Sequence, residues 1–245
     1  MIKTSHSKTS SYEYCPRQYY FQYVQKVRVP MSHPLAFGIA YHNAVEVFLN
    51  QWVATGKAER DDAKAYFEFS YLVELGMYRD KVWLSKAHTM LDNLFNSLLA
   101  FDDFQPLKIE QFRKDMLPGG DIQFVGKLDC LALVNGERVL IDWKTAADLD
   151  RYPPEKVATD GQLTGYGWLC QGEWDKLAFV VGSKATGQVV WLETTRTQEQ
   201  LDTWCDETVR KVKEMQKSTF QGVYDNRCKA CDYARYGYCQ GLGDF

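Results

Sequence analysis

Residues Gly126 to Lys144, GKLDCLALVNGERVLIDWK, decide how the rest of the chain is read. Asn135-Gly136 is the dipeptide that most favours a two-residue type I′ turn, because both central positions need positive φ. Apolar residues lead up to it and away from it, so the stretch reads as two antiparallel strands. A two-residue turn sets Asp129 directly opposite Asp142 and Lys127 opposite Lys144. Side chains two apart on a strand share a face, which predicts Asp129, Asp142 and Lys144 on one side and Ile141 and Trp143 on the other. Two facing carboxylates destabilise a sheet unless a cation or a shared proton lies between them. A divalent metal is the natural cation. Lys144 would border it, where an ammonium can orient a water or hold a developing negative charge.

Bulk properties bound the context for this hairpin. The 245 residues suffice for one large domain or a domain with a helical insert. A net charge of -3 excludes a globally basic nucleic-acid binder, though not a local basic groove beside an acidic site. The sequence has no apolar run long enough for a membrane span, and the polar start MIKTSHSKTS has no apolar signal region, so a cytoplasmic protein is expected. Seven cysteines, an odd count, in a reducing compartment point to metal or catalytic thiols rather than a disulfide framework.

Outward from the hairpin, the upstream half is helical. Ser10-Ser11 are expected to cap a helix that begins near Cys15-Pro16, since proline fits a first helical turn. Leu35 to Val53 has 3.6-residue periodicity that puts His42 and Glu46 one turn apart on one face. Two more helices are predicted over about Asp61–Gly76 and Asp80–Ala100. From Pro106 the pattern changes to strands: LKIEQFRKDM alternates, with Glu110 expected as an exposed strand residue, and Pro118-Gly119-Gly120 turns the chain into the hairpin.

Downstream, Lys156 to Cys170 reads as one helix with Gln162 and Tyr166 on one face, and its glycines imply close approach of something to it. A second strand pair follows across Lys184–Gly187. Thr197 and Gln200 form a capping box for a last helix that runs to about Lys217. No P-loop is present.

The tail holds Cys228-x2-Cys231-x7-Cys239, a compact thiolate set in which the CxxC step lets two sulfurs face one metal centre. Cys130, Cys170 and Cys205 lie in apolar settings and are expected in the core. Cys15 is the best fourth ligand, and its ligation would join the two ends of the chain. By geometry alone four thiolates suit zinc or an iron-sulfur cluster, zinc being the commoner holder of a bare CxxC. His6, His33 and His88 have no such company and are background.

The succession Gly38-x3-His42-x3-Glu46, Gly126-x2-Asp129, Asp142-x-Lys144 and Gln162-x3-Tyr166 resembles the RecB-like branch of the PD-(D/E)XK nuclease superfamily. Cys15-Pro16 with Cys228, Cys231 and Cys239 is similar to its iron-sulfur subgroup, which includes the AddB nuclease domain and the exonuclease of CRISPR adaptation loci. The resemblance spans Cys15 to Cys239. It implies an α/β, restriction-endonuclease-like fold: a central mixed sheet flanked by helices, an N-terminal helical block and an iron-sulfur clamp joining the termini. The corresponding division is 1–105 for the helical region with His42, 106–220 for the nuclease core and 221–245 for the cysteine-rich segment.

The implied function is metal-dependent hydrolysis of DNA, exonucleolytic on single strands or ends. His42, Asp129, Asp142 and the backbone carbonyl of Trp143 would hold Mg²⁺ or Mn²⁺, an imidazole ligand favouring Mn²⁺. Lys144 would position the attacking water. Gln162 and Tyr166 would steer the DNA or the surroundings of the metal, and Glu46 would support the His42 helix. Cys15, Cys228, Cys231 and Cys239 would bind a structural [4Fe-4S] cluster. Partners implied are a helicase, a recombinase or a CRISPR adaptation protein, in a bacterial, archaeal or phage-infected cell.

This sequence departs from the pattern in the seven-residue gap before Cys239 and in the helical block of 55–105, whose role the motifs leave open. The alternatives are an iron-sulfur DNA-binding accessory subunit with a silent site, and a zinc-stabilised nuclease of the same fold.

Overall fold

The computed structural model describes residues 1–57, 59–76 and 81–239. The chain forms two compact units, one of 1–30, 114–126 and 202–245 and the other of 31–113 and 127–201.

In the first unit β1 (Ile2–Thr4) runs parallel to Ile122–Phe124. Helix α1 (His6–Tyr14) starts earlier than expected because Ser5, not Ser10 or Ser11, caps it, its side chain accepting from the Lys8 amide. Cys15 then adopts an extended backbone (φ -162°), as a residue before proline tends to, and this separates α1 from α2 (Pro16–Tyr19) and the π-helical turn Tyr20–Val24. The two ends of the chain meet here. Phe21 stacks on Tyr233 of α9 (Asp232–Arg235) with ring centroids 5.4 Å apart, and Arg227 donates to the Tyr14 carbonyl at 2.6 Å.

The second unit is built on α3 (His33–Thr55), α4 (Arg60–Glu74) and α5 (Lys81–Leu99); the start expected at Asp80 lies outside the described residues. Pro34 stands in the first turn of α3, and Gly56, at φ 70°, closes it with an amide bonded to the Trp52 carbonyl. The strands are β2 (Gln105–Met116), β3 (Ile122–Val134), β4 (Glu137–Ala146), β5 (Lys176–Ser183) and β6 (Val189–Thr194). Their order is β3-β4-β5-β6, antiparallel, parallel, antiparallel, with β2 paired to β3. The sheet is therefore mixed, as expected.

Turn chemistry fixes the central hairpin. Asn135 (φ 51°) and Gly136 (φ 77°) are both left-handed, and the Asp103 carboxylate accepts both their amides, at 2.7 and 2.5 Å. The ladder runs from Val134–Glu137 to Cys130–Ile141, the register read from the sequence.

Both faces of the sheet are covered. Cys130, Ala132, Val134, Val139, Ile141, Trp143, Ala178 and Val180 pack with α3, α4 and α5. Leu131, Leu140, Phe179 and Val181 pack on the opposite face with Leu163 and Tyr166. Trp143 is the largest of the fully buried side chains.

The helix expected over Lys156–Cys170 is two helices, α6 (Pro154–Thr159) and α7 (Gly161–Leu169). Asp160 divides them: its carboxylate accepts the amides of Gln162 and Leu163, starting a new helix instead of continuing the old one. Arg196 is buried at this break. Its guanidinium donates to Thr164 Oγ1 (2.8 Å) and to the carbonyls of Val157 (2.9 Å) and Asp160 (3.3 Å). Close approach to the glycine-rich helix is real at Gly167, where an added Cβ would lie 3.1 Å from Trp174 and 3.2 Å from Leu177. Thr197 and Gln200 form the expected reciprocal box at α8 (Gln198–Lys217).

Candidate active site

Regular elements of the second unit present every polar group of the site. His42 lies mid-way along α3, its Nδ1 3.3 Å from Asp129 Oδ2. The same Asp129 oxygen accepts the Trp143 amide at 2.9 Å. That bond comes one step beyond the last ladder pair, where strict alternation also slips: Leu128 packs with Leu131 and Leu140, not with Cys130. Asp129 and Asp142 therefore do not simply share a face. His42 of α3 meets Asp129 from one layer, and Gln162 of α7 meets Asp142 from the other.

Asp142 is 1% exposed. Its Oδ1 accepts from Gln162 Nε2 at 2.7 Å, and its Oδ2 forms an ion pair with Lys144 Nζ at 2.6 Å. Gln162 bridges the pair, because its Oε1 accepts from Lys144 Nζ at 2.8 Å while its Nε2 also donates to the Tyr166 hydroxyl at 3.0 Å. Lys144 Nζ lies 5.1 Å from the centroid of the Phe179 ring.

Burial pushes the Asp142 carboxyl up to about 6, against the pull of Lys144. Burial opposes the charge of His42, but Asp129 outweighs it and the imidazole is raised. Lys144 is likewise raised, Asp142 overcoming burial.

A further carboxylate belongs to this site. Glu110 of β2, expected at an exposed position, has a side chain only 11% exposed and is paired with Lys127. Its backbone is left-handed (φ 51°), which a non-glycine residue in mid-strand adopts at a cost. Burial raises its pKa and Lys127 opposes the rise, while Asp129 and Glu46 add to it. Glu46 lies one turn on from His42 along α3.

His42, Glu110 and Asp129 bring one ligand atom each to within 4.8 Å of one another, the one such group of acids, histidines and cysteines among the described residues. They line an open cleft with Gly38, Asn43 and Lys127. Two carboxylate oxygens and an imidazole nitrogen, gathered against their own repulsion, suit a hard or borderline divalent ion.

The sequence matches the PD-(D/E)XK nuclease superfamily over residues 3–240. The chain belongs to that superfamily. Membership makes it a nuclease with DNA as its substrate class, and the three-residue group can hold the divalent metal that such an enzyme uses. No curated protein sequence matches the chain significantly. A solved structure described as the crystal structure of SSO0001 is similar, with 18% identity and a TM-score of 0.44 over 83% of this chain and 97% of that one. No helix among the described residues is long and apolar enough to cross a membrane.

The nuclease has a further cavity, in its first unit. Cys15, Cys228, Cys231 and Cys239 all line it, with Tyr14, Arg17 and Phe21. All four thiols are free, and Cys228 Sγ donates to the Val223 carbonyl at 3.3 Å. Burial raises the Cys231 thiol, and Cys15 and Cys239 add to the rise. Cys130, Cys170 and Cys205 are buried in the core, as their apolar settings predicted, and do not cluster.

Sequence reasoning missed Glu110 and Arg196. An acid in an alternating strand reads as solvated unless its backbone conformation is known, and no motif marks a lone arginine beside a capping box.

Proposed function

We propose that the protein is an exonuclease of the RecB-like, iron-sulfur branch of its superfamily, acting on single-stranded DNA or DNA ends. The observation that carries the catalytic reading is the Lys144 ammonium, held between buried Asp142 and Gln162. A divalent ion, when bound, supplies a polarised water and positive charge at the phosphate. His42, Asp129, Asp142 and the Trp143 carbonyl would hold it, with Glu110 a further donor in reach.

Lys144 then orients the attacking water and faces the charge that develops at phosphorus. Gln162 fixes the direction of Lys144 and Asp142 together, and Tyr166 fixes Gln162. Glu46 supports the His42 helix.

Cys15, Cys228, Cys231 and Cys239 would hold a structural [4Fe-4S] cluster. Their shared cavity supports this. A helicase, a recombinase or a CRISPR adaptation protein would deliver DNA ends.

End-labelled linear and circular DNA, single- and double-stranded, incubated with Mg²⁺ or Mn²⁺, tests the reading. The expected outcome is loss of linear single strands with circles intact. Lys144→Ala should lower the rate by about 100- to 1000-fold. Cleavage of circles would replace the exonuclease with an endonuclease, and an unchanged Lys144→Ala rate would remove the catalytic assignment. An anaerobic preparation should be brown and contain iron; a colourless protein with stoichiometric zinc would sink the cluster.

A further inference from the structure

Resting on that nuclease reading, we propose that Lys127 is the resident counter-cation of the His42, Glu110 and Asp129 cleft, displaced when a divalent ion binds and so freed to hold a substrate phosphate.

The pair is built asymmetrically. The Glu110 side chain is 11% exposed, whereas that of Lys127 is 59% exposed and bonded to it at the rim of the cleft. The carboxylate is held by a left-handed backbone within β2. The ammonium rides on a flexible four-carbon stem. Of the two partners, only the lysine is free to leave.

The cleft calls for one positive charge at a time. Glu110 and Asp129 each bring a carboxylate oxygen to within 4.8 Å of the other and of a His42 ring nitrogen. Lys127 lines the same cleft, with its ammonium paired to Glu110. Glu110 and Asp129 would hold a divalent ion that supplies that neutralisation, and its charge would repel an ammonium on the same carboxylate. The released ammonium stays tethered by its strand at the mouth of the cleft, where the scissile phosphate must approach the metal. A lysine there acts as a point charge on a phosphate oxygen. Metal and DNA then bind with positive coupling, although they share no ligand.

If Lys127 only propped Glu110 in place, removing it would weaken metal binding. Displacement makes the opposite prediction. Mn²⁺ affinity of the full chain is measured by electron paramagnetic resonance. Binding of a single-stranded oligonucleotide is measured by fluorescence anisotropy across a salt series, with and without Mn²⁺, in a Lys144→Ala background so that the strand is not consumed. Lys127→Met should bind Mn²⁺ about fivefold more tightly, or better. Its salt slope for DNA should fall by about 1 with Mn²⁺ present and stay unchanged without it. Lys127→Arg should restore the slope.

Equal or weaker Mn²⁺ binding by Lys127→Met overturns the proposal, as does a slope that falls equally in both conditions. Either result leaves the nuclease standing, provided Asp129→Asn abolishes Mn²⁺ binding. Wild-type protein that takes up no Mn²⁺ overturns the nuclease reading and the proposal with it.

Discussion

The acidic cleft hangs from a helix of 23 residues and from strands of 12 and 13, while the cysteine cavity sits among helices of four residues and short turns. In the cleft, each buried charge already has a partner within the protein: His42 with Asp129, Lys144 with Asp142, Lys127 with Glu110. In the cavity, what gathers the four thiols is the meeting of the chain ends, made of ring stacking and a few turn bonds. Elements of four residues do not hold themselves together. A site on long elements keeps its shape before its ligand arrives, and a site on short ones draws shape and stability from the ligand.

That contrast breaks first at the cysteines. On the proposed cluster reading, Cys231→Ser should abolish visible absorption and lower the melting temperature more than any cleft substitution, costing on the order of several kcal/mol. Mn²⁺ affinity at the cleft should stay within about twofold of wild type, because the two sites share no element that the change disturbs. An unchanged melting curve would show that the cavity needs no ligand to fold.

Glu110→Gly sharpens the comparison from the other side. Glycine accepts the left-handed backbone freely, so stability should rise by about 1 kcal/mol in thermal melts. Mn²⁺ affinity should fall at least about tenfold. A residue whose loss stabilises the fold and weakens the ion is one retained for function; a variant that melts lower would mark Glu110 as structural instead.

The smallest effect concerns the support of β2. Glu173 accepts from Arg113 at 2.7 and 3.0 Å and pairs with Lys108, whose hydrogen bond, against burial, holds the carboxyl below its ordinary 4.5. A depressed carboxylate contributes stability above its unfolded pKa and loses it as pH falls through the folded value. Glu173→Gln should therefore cost less than about 1 kcal/mol at pH 7, and its melting temperature should converge with wild type as pH falls below the ordinary glutamate range.

What the sequence made legible follows from the range of the forces involved. The Asn135-Gly136 turn is a local choice of φ, so the hairpin register and the positions of Asp142, Lys144, Gln162 and Tyr166 could be read from it and from helical spacing, while the mixed sheet followed only from the resemblance. The slip at Leu128 and Asp129 is a long-range compromise, set by the Trp143 amide and by His42 on another element. The left-handed Glu110 is likewise imposed by its surroundings. The break at Asp160 was readable in principle, since an aspartate two residues before Gln162 is a capping signal; helical periodicity on both sides concealed it.

Arg196 gives that break its larger meaning. Its guanidinium ties the last carbonyls of α6 to the first turn of α7, so the angle at which α7 leaves the break is set by a residue at the far end of β6. Gln162 stands in that first turn, reaching both Asp142 and Lys144. The aim of Lys144 is thus inherited from a hinge it never touches, and a small rotation there would turn its ammonium while leaving His42, Glu110 and Asp129 in place.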